Sequence, residues 1–320
     1  MARKPKYFEI HAEITDLTMV EWPYADHDDK STRPIVYFDD PVQVDGDLWI
    51  AMLDDELTKW LLDATEPAGR NYHPYRQYTG GYALIRSDAP AQKPEQGDFD
   101  PDMRLRTAIA LSRLVHPTSL CLAHSVRIRT LGKPRNDWQI VPHTEAQIGE
   151  SAFVLDVNDN WLIPSDVPAL AHLLTACNPT KIPKRVAAAL WSNEMAARSY
   201  YSDMRWPLLV TGLESLVRIK NEKDQQGGAV GSTRAFVGRL GQLGQLDGTL
   251  AVSAPDLRAI YEKRSDLVHA LALVAMDQPT KALYRKLDNL LRAILRKAIL
   301  DPGFAALFAS DKGVSTAFPL

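Results

Sequence analysis

The stretch Tyr261-Glu-Lys-Arg-Ser-Asp-Leu-Val-His-Ala270 places Arg264 and His269 with four residues between them. An arginine holds a phosphate with a planar, permanently charged fork. A histidine gives and takes protons near neutrality. Together the two side chains can cleave a phosphodiester without a metal ion. Arg and His at this spacing occur by chance in many helices, so the pair gains meaning only from the pattern around it.

That pattern is helical. Over 255–275, Leu257, Ile260, Tyr261, Leu267, Val268 and Leu271 recur at three- and four-residue intervals and form one apolar stripe. At about 100° per residue Arg264 falls inside this stripe, and His269 lies about 140° further round, beside Arg258, Glu262 and Ser265. A permanent charge in an apolar stripe is costly unless something pairs with it. Glu214, bordering the apolar face of the helix over 208–217, is a candidate partner. In a regular helix Arg264 and His269 do not converge on one point. Either the helix is distorted there, or a second copy supplies the missing group and a two-fold dimer shares one cleft. The blander alternative makes Arg264 half of a structural ion pair with Glu214, and His269 a half-exposed surface residue.

Five segments of the second half share this periodicity: 183–203, 206–219, 233–243, 255–275 and 279–299. Pro183, Pro207 and Pro255 stand near predicted helix starts, where the missing amide hydrogen is tolerated. The last helix carries Lys281, Arg285, Lys286, Arg292, Arg296 and Lys297 away from its apolar stripe of Leu283, Leu287, Leu290, Leu291, Ile294 and Ala298. Such a basic face is by default a solvated one. If RNA binds, Arg285, Lys286 and Arg292 are the natural track for its phosphates.

The first half reads as β-rich. Alternation predicts a strand over 8–14, and 34–38, 48–52, 81–85, 125–129, 138–141 and 153–155 are further candidates, with Asp45-Gly46 and Gly80-Gly81 as punctuation. Residues 88–102 read as a loop, and 103–115 as the only long helix of this half. Tyr72, Tyr75, Tyr78 and Tyr82, with Arg70 and Arg76, could stack bases or sugars, although a packed loop and strand edge is the simpler reading. The fold class expected is α+β: a β-rich domain over 1–165 and an α-helical domain over 166–320. Charge divides in the same way. Residues 1–165 hold 17 Lys/Arg against 26 Asp/Glu, while 166–320 hold 20 against 14, which would draw a polyanion to the second domain.

The helical half resembles the HEPN superfamily, whose members carry an Arg, four to six residues and then a His in an α-helical bundle. It looks most like the ApeA-type HEPN group. Leu213-Glu-Ser-Leu216, the glycine-rich break that follows, and Ile260-Tyr-Glu-Lys-Arg-Ser-Asp-Leu-Val-His269 carry the likeness, which covers about 183–300. Ala270 departs from the Gly that often follows the His. The resemblance implies a metal-independent endoribonuclease acting as a homodimer, of the kind found in antiviral defence or as bacterial toxins. His269 would serve in acid–base transfer on the ribose 2′-OH or the leaving 5′-oxygen. Arg264 would hold the scissile phosphate and neutralise its developing charge. The products would be a 2′,3′-cyclic phosphate and a 5′-OH. Ser265 and Asp266 would orient the pair, and Glu214 would partner Arg264. The β-rich half would then sense an invader-derived trigger or restrain the nuclease. A non-catalytic dimerising scaffold that binds a protein or nucleic acid is the rival reading.

No cofactor is expected. Gly227-Gly-Ala-Val-Gly-Ser-Thr-Arg234 lacks the Gly-Lys-Ser/Thr of a phosphate loop. The histidines of the first half show no metal-ligand spacing. Cys121 and Cys177 read as reduced, packed thiols in a cytoplasmic protein. No apolar run approaches the ~18 residues of a membrane span, and no export signal is evident.

Overall fold

A computed structural model of the chain describes residues 6–22, 38, 40–65, 77–91, 103–115, 121–142, 162–178, 181–199, 202–223, 227–269 and 277–320. The chain divides into two compact units, Met1–Leu174 and Thr175–Leu320. The first is built on an antiparallel sheet and the second is helical, an α+β arrangement.

The sheet of the first unit contains β1 (Ile14–Trp22), β2 (Val42–Asp45), β3 (Leu48–Met52), β4 (Gln77–Ser87), β5 (Cys121–Arg129) and β6 (Gln139–Pro142). Their order is β2-β3-β4-β1-β5-β6. Leu17 and Met19 of β1 join Ala51, Ala83, Ile85, Val126 and Ile128 in one apolar layer. Helix α1 (Asp55–Thr65) covers that layer with Leu57 and Leu61, one turn apart. Strand alternation turns Asp16 and Thr18 to the opposite face. There Asp16 accepts two hydrogen bonds from Arg127 directly across on β5, at 2.6 and 2.7 Å. Both side chains are buried, and the paired fork is what makes their desolvation tolerable. Helix α2 (Met103–Val115) packs against β4.

β3 and α2 fall where the sequence places them, and β4, β5 and β6 overlap their predicted segments. The expected strand over 8–14 is corrected: residues 6–11 are outside the sheet, although the Phe8 amide donates to the Met52 carbonyl at 2.9 Å. The strand begins at Ile14 and runs on through polar residues that the sheet itself satisfies. Asp45-Gly46 opens the β2–β3 hairpin, with Gly46 at φ +52°. Gly80-Gly81 is not a break but lies within β4, where the register with β1 shifts. α2 is not the only long helix of this half, since α1 spans eleven residues. The predicted strand over 153–155 and residues 34–37 of another lie outside the described residues, as do Tyr72, Tyr75, Arg70 and Arg76.

Helix α3 runs Val167–Ala176, and the division of the chain falls after its Leu174. The second unit contains α4 (Lys184–Arg198), α5 (Ser202–Val217), α6 (Ser232–Leu246), α7 (Ala254–His269), α8 (Gln278–Leu300), α9 (Pro302–Ala306) and α10 (Asp311–Ala317). Helix α5 contacts α4, α6, α7 and α8. A Cβ on Gly212 of α5 would lie 2.8 Å from the Cδ2 methyl of Leu291 on α8, so a larger residue there would make the end of that leucine shift. Pro207 is corrected from a helix start to a position inside α5, which begins at Ser202. Arg239 of α6 is fully buried and ties the unit together. It donates to the Val217 carbonyl at 2.8 Å and the Phe318 carbonyl at 3.0 Å, and also pairs with Glu222. No helix among the described residues is long and apolar enough to cross a membrane.

Candidate active site on helices α5 and α7

The apolar stripe of α7 seats the helix through Leu257, Ile260, Tyr261 and Leu267, all buried. Arg264 lies one turn after Tyr261, as the stripe predicts, and is half-buried, with 22% of its side chain exposed. Its Nη2 lies 3.7 Å from Oε2 of Glu214, which α5 presents from its buried side. This is the ion pair anticipated for Glu214. At that distance it is a charge contact rather than a hydrogen bond.

Two further groups converge on the same carboxylate. The Tyr261 hydroxyl donates to Glu214 Oε1 at 3.0 Å. Arg218, just past the end of α5, brings Nη1 to 3.7 Å from Oε1. The guanidinium of Arg264 also lies over the Tyr261 ring, with Cζ 5.9 Å from its centroid. Burial, then the negative charge of Glu214, pushes the Tyr261 phenol up from its ordinary range, so it stays a donor. The buried Nε of Arg264 finds no acceptor among the described residues.

His269 is the last residue of α7, five positions beyond Arg264 on a continuous helix. That spacing sets the two residues about 140° apart and about 7.5 Å along the axis. The distortion allowed for by the sequence is not seen in the backbone of α7, while the His269 side chain lies outside the described set. Ser265 is half-buried and Asp266 exposed. The ion-pair partner of Arg264 comes from α5 rather than from these motif neighbours.

The basic residues of α8 separate into different environments. Arg285 is exposed. Lys286 donates to Asp256 of α7 at 2.7 Å, which with Ser253 holds that carboxyl below its usual range. Arg292 requires correction as a member of a solvated face, for it is buried. It donates to Asp288 one turn earlier at 2.9 Å and to Asn289 at 2.6 Å. The buried surface of α8 is wide, taking in Tyr284, Leu287, Leu290, Leu291, Ile294, Leu295 and Ala298, and it reaches round to Arg292. The sequence marks Tyr261 as a stripe residue three positions before Arg264, but not its hydroxyl as the partner of Glu214. Its signal was a phenol one helical turn from an arginine.

Cys177 is a half-buried free thiol, pushed up by burial. Among the described residues, no three His, Cys, Asp or Glu side chains are grouped to hold a metal ion. No protein-family model, curated protein or solved structure matches the chain.

Proposed function

We propose that the helical unit is a HEPN-type, metal-independent endoribonuclease, and that the sheet unit governs when it acts. The observation that carries this reading is the state of Arg264. A guanidinium on a packed helix, five residues before a histidine, is held by a ring face and a carboxylate while its buried Nε has no acceptor among the described residues. Arg264 makes no hydrogen bond to Glu214 and keeps part of its side chain exposed, so a phosphate oxygen would meet a guanidinium not yet committed to a carboxylate. Arg264 would hold the scissile phosphate, and His269 would move the proton between the 2′-OH and the leaving 5′-oxygen. Since the two residues diverge on one helix, a homodimer with a shared cleft would bring Arg264 of one copy toward His269 of the other. Exposed Arg285 would contact flanking phosphates. In this reading the protein works in the cytoplasm as an anti-phage or toxin effector, with a phage-derived trigger acting at the first unit.

The test is expression of wild type beside His269→Ala in bacterial cells, with and without phage challenge, followed by sequencing of 5′-OH RNA ends. New ends only with wild type are expected. Equal profiles in every condition would remove the nuclease reading.

One observation favours a second reading. Arg264 already has a partner in buried Glu214, which gives the arginine a structural role in a non-catalytic dimerising scaffold. The scaffold predicts that Arg264→Ala mainly destabilises.

A further inference from the structure

Three donors surround Glu214, but only one is within hydrogen-bond distance. The Tyr261 hydroxyl stands at 3.0 Å from Oε1. Arg264 and Arg218 both stand at 3.7 Å, on Oε2 and Oε1 respectively. Ser232, at the start of α6, acts on the same phenol against its upward shift. The ring of Tyr261 is fixed from behind by Phe236, with centroids 5.0 Å apart. The phenol, and not either arginine, therefore anchors the carboxylate. A buried carboxylate beside a guanidinium ordinarily closes into a two-pronged pair. Side-on closure here would need Oε1 to swing to the Nε of Arg264, the atom left without an acceptor among the described residues.

We propose that Tyr261 is a positioning residue for Arg264: by holding Oε1 of Glu214, its hydroxyl keeps the carboxylate from closing on Nε and Nη2, so that the partly exposed guanidinium is not tied up in a two-pronged pair and can turn to an anionic oxygen. The identity of that oxygen as an RNA phosphate rests on the function proposed above, whereas the positioning itself does not. Glu214 thus both steadies the guanidinium and competes with its ligand, and the phenol sets the balance.

Tyr261→Phe keeps the ring and removes only the hydroxyl. In the full-length, 15N-arginine-labelled protein, the Nε–H signal of Arg264 is assigned by its loss in Arg264→Lys. Its exchange with solvent should slow about tenfold or more in Tyr261→Phe, as Nε gains a carboxylate partner. In Tyr261→Phe/Glu214→Gln the exchange should return toward wild type, because a neutral amide competes weakly. A role in packing alone predicts no such rescue. Unchanged Nε–H exchange in Tyr261→Phe overturns the proposal, as does slowing that persists in the double variant.

A mixed-sequence 2′-O-methyl oligoribonucleotide, which cannot be cleaved, separates this inference from the ribonuclease reading. Its affinity should fall about tenfold in Tyr261→Phe and recover in the double variant. If the exchange rates behave as expected but wild type binds the oligonucleotide no better than Arg264→Ala, Tyr261 positions Arg264 for another anion and the RNA reading fails.

Discussion

Tyr261 and Glu214 join α7 to α5 by a hydrogen bond of 3.0 Å, and the free oxygen of that carboxylate faces Arg264 at 3.7 Å. Arg264 is therefore supported by a group that is itself held in place. The arrangement gives the two readings of Arg264 different consequences on substitution.

For Arg264→Ala, Glu214 loses one of two charged neighbours but keeps Tyr261 and Arg218. The loss of stability should be modest, about 1 kcal/mol, at the low end for a deprived buried polar group. That leaves a protein of ordinary stability folded. Cleavage should nonetheless fall about 100-fold or more, the scale of removing one donor to a developing oxyanion. Thermal unfolding and an RNA-end assay on the same preparation check both. Full cleavage by the variant sinks the assignment of Arg264, and a large drop in midpoint with no activity to lose favours the scaffold.

His269→Ala separates chemistry from packing more cleanly, because the residue ends its helix and Leu267 secures that turn. The expectation is an unchanged melting midpoint and a loss of about 100-fold or more in cleavage rate, as for removal of a general acid or base. Cleavage should also survive EDTA in the wild type. Retained cleavage in the variant, or its abolition by the chelator, counts against the mechanism.

Arg239 makes a prediction that does not depend on function. It is fully buried and holds the carbonyls of Val217 and Phe318 together with Glu222. Arg239→Ala removes all of these at once and strands a carboxylate, a loss of about 3–5 kcal/mol. Urea unfolding of the full chain should show it. A change below about 1 kcal/mol would mean that the C-terminal segment is held by its apolar contacts alone.

The elements legible in the sequence were those whose pattern is local. Helix α8 announces itself by a long amphipathic repeat, and β3 by a short apolar run, Leu48-Trp-Ile-Ala-Met52, just after the Asp45-Gly46 turn. Helix α1 was also readable: Asp54 accepts from the Leu57 amide at 2.7 Å and caps it, with Asp55 and Glu56 in the first turn. Its closeness to β3 concealed it. Strand β1 was not readable, because Asp16 suits a buried position only through Arg127, 111 residues away. The candidate site divides in the same way. Arg264 in an apolar stripe points to a buried acid, and Glu214 follows. The Tyr261 bond depends on how α5 and α7 cross, and the burial of Arg292 depends on what surrounds α8.

Arg285 and Arg292 accordingly part company. Arg285→Glu places an acid on an exposed face of α8 and should weaken oligonucleotide binding with little change in midpoint. Arg292→Ala instead leaves half-buried Asp288 without its partner and opens a gap where a buried side chain stood, and should destabilise by about 1–3 kcal/mol. Anisotropy titrations at two salt concentrations, paired with melting curves, distinguish the two. The expected pattern is a smaller salt slope for Arg285→Glu only. A reduced salt slope for a fully folded Arg292→Ala would restore it to the phosphate track.

Acid stability provides the last test, and its sign follows from the carboxylates. Hydrogen bonds from Lys297 and Thr249 hold Asp247 down to about 2. For Asp47, burial acts to raise the carboxyl, but hydrogen bonds from Arg86 and Arg104 overcome it and the net shift is downward. Asp256 is lowered by Lys286 and Ser253. Each group has a folded pKa below its unfolded value of about 3.9. Each therefore contributes stability that is fully present above about pH 5 and is lost as the pH falls through the folded value. Melting midpoints should be level above about pH 5 and drop steeply between about pH 4 and pH 2. Asp247→Asn should flatten the lower part of that drop. An identical acid limb in the variant would show that the Asp247–Lys297 bond does not persist in solution.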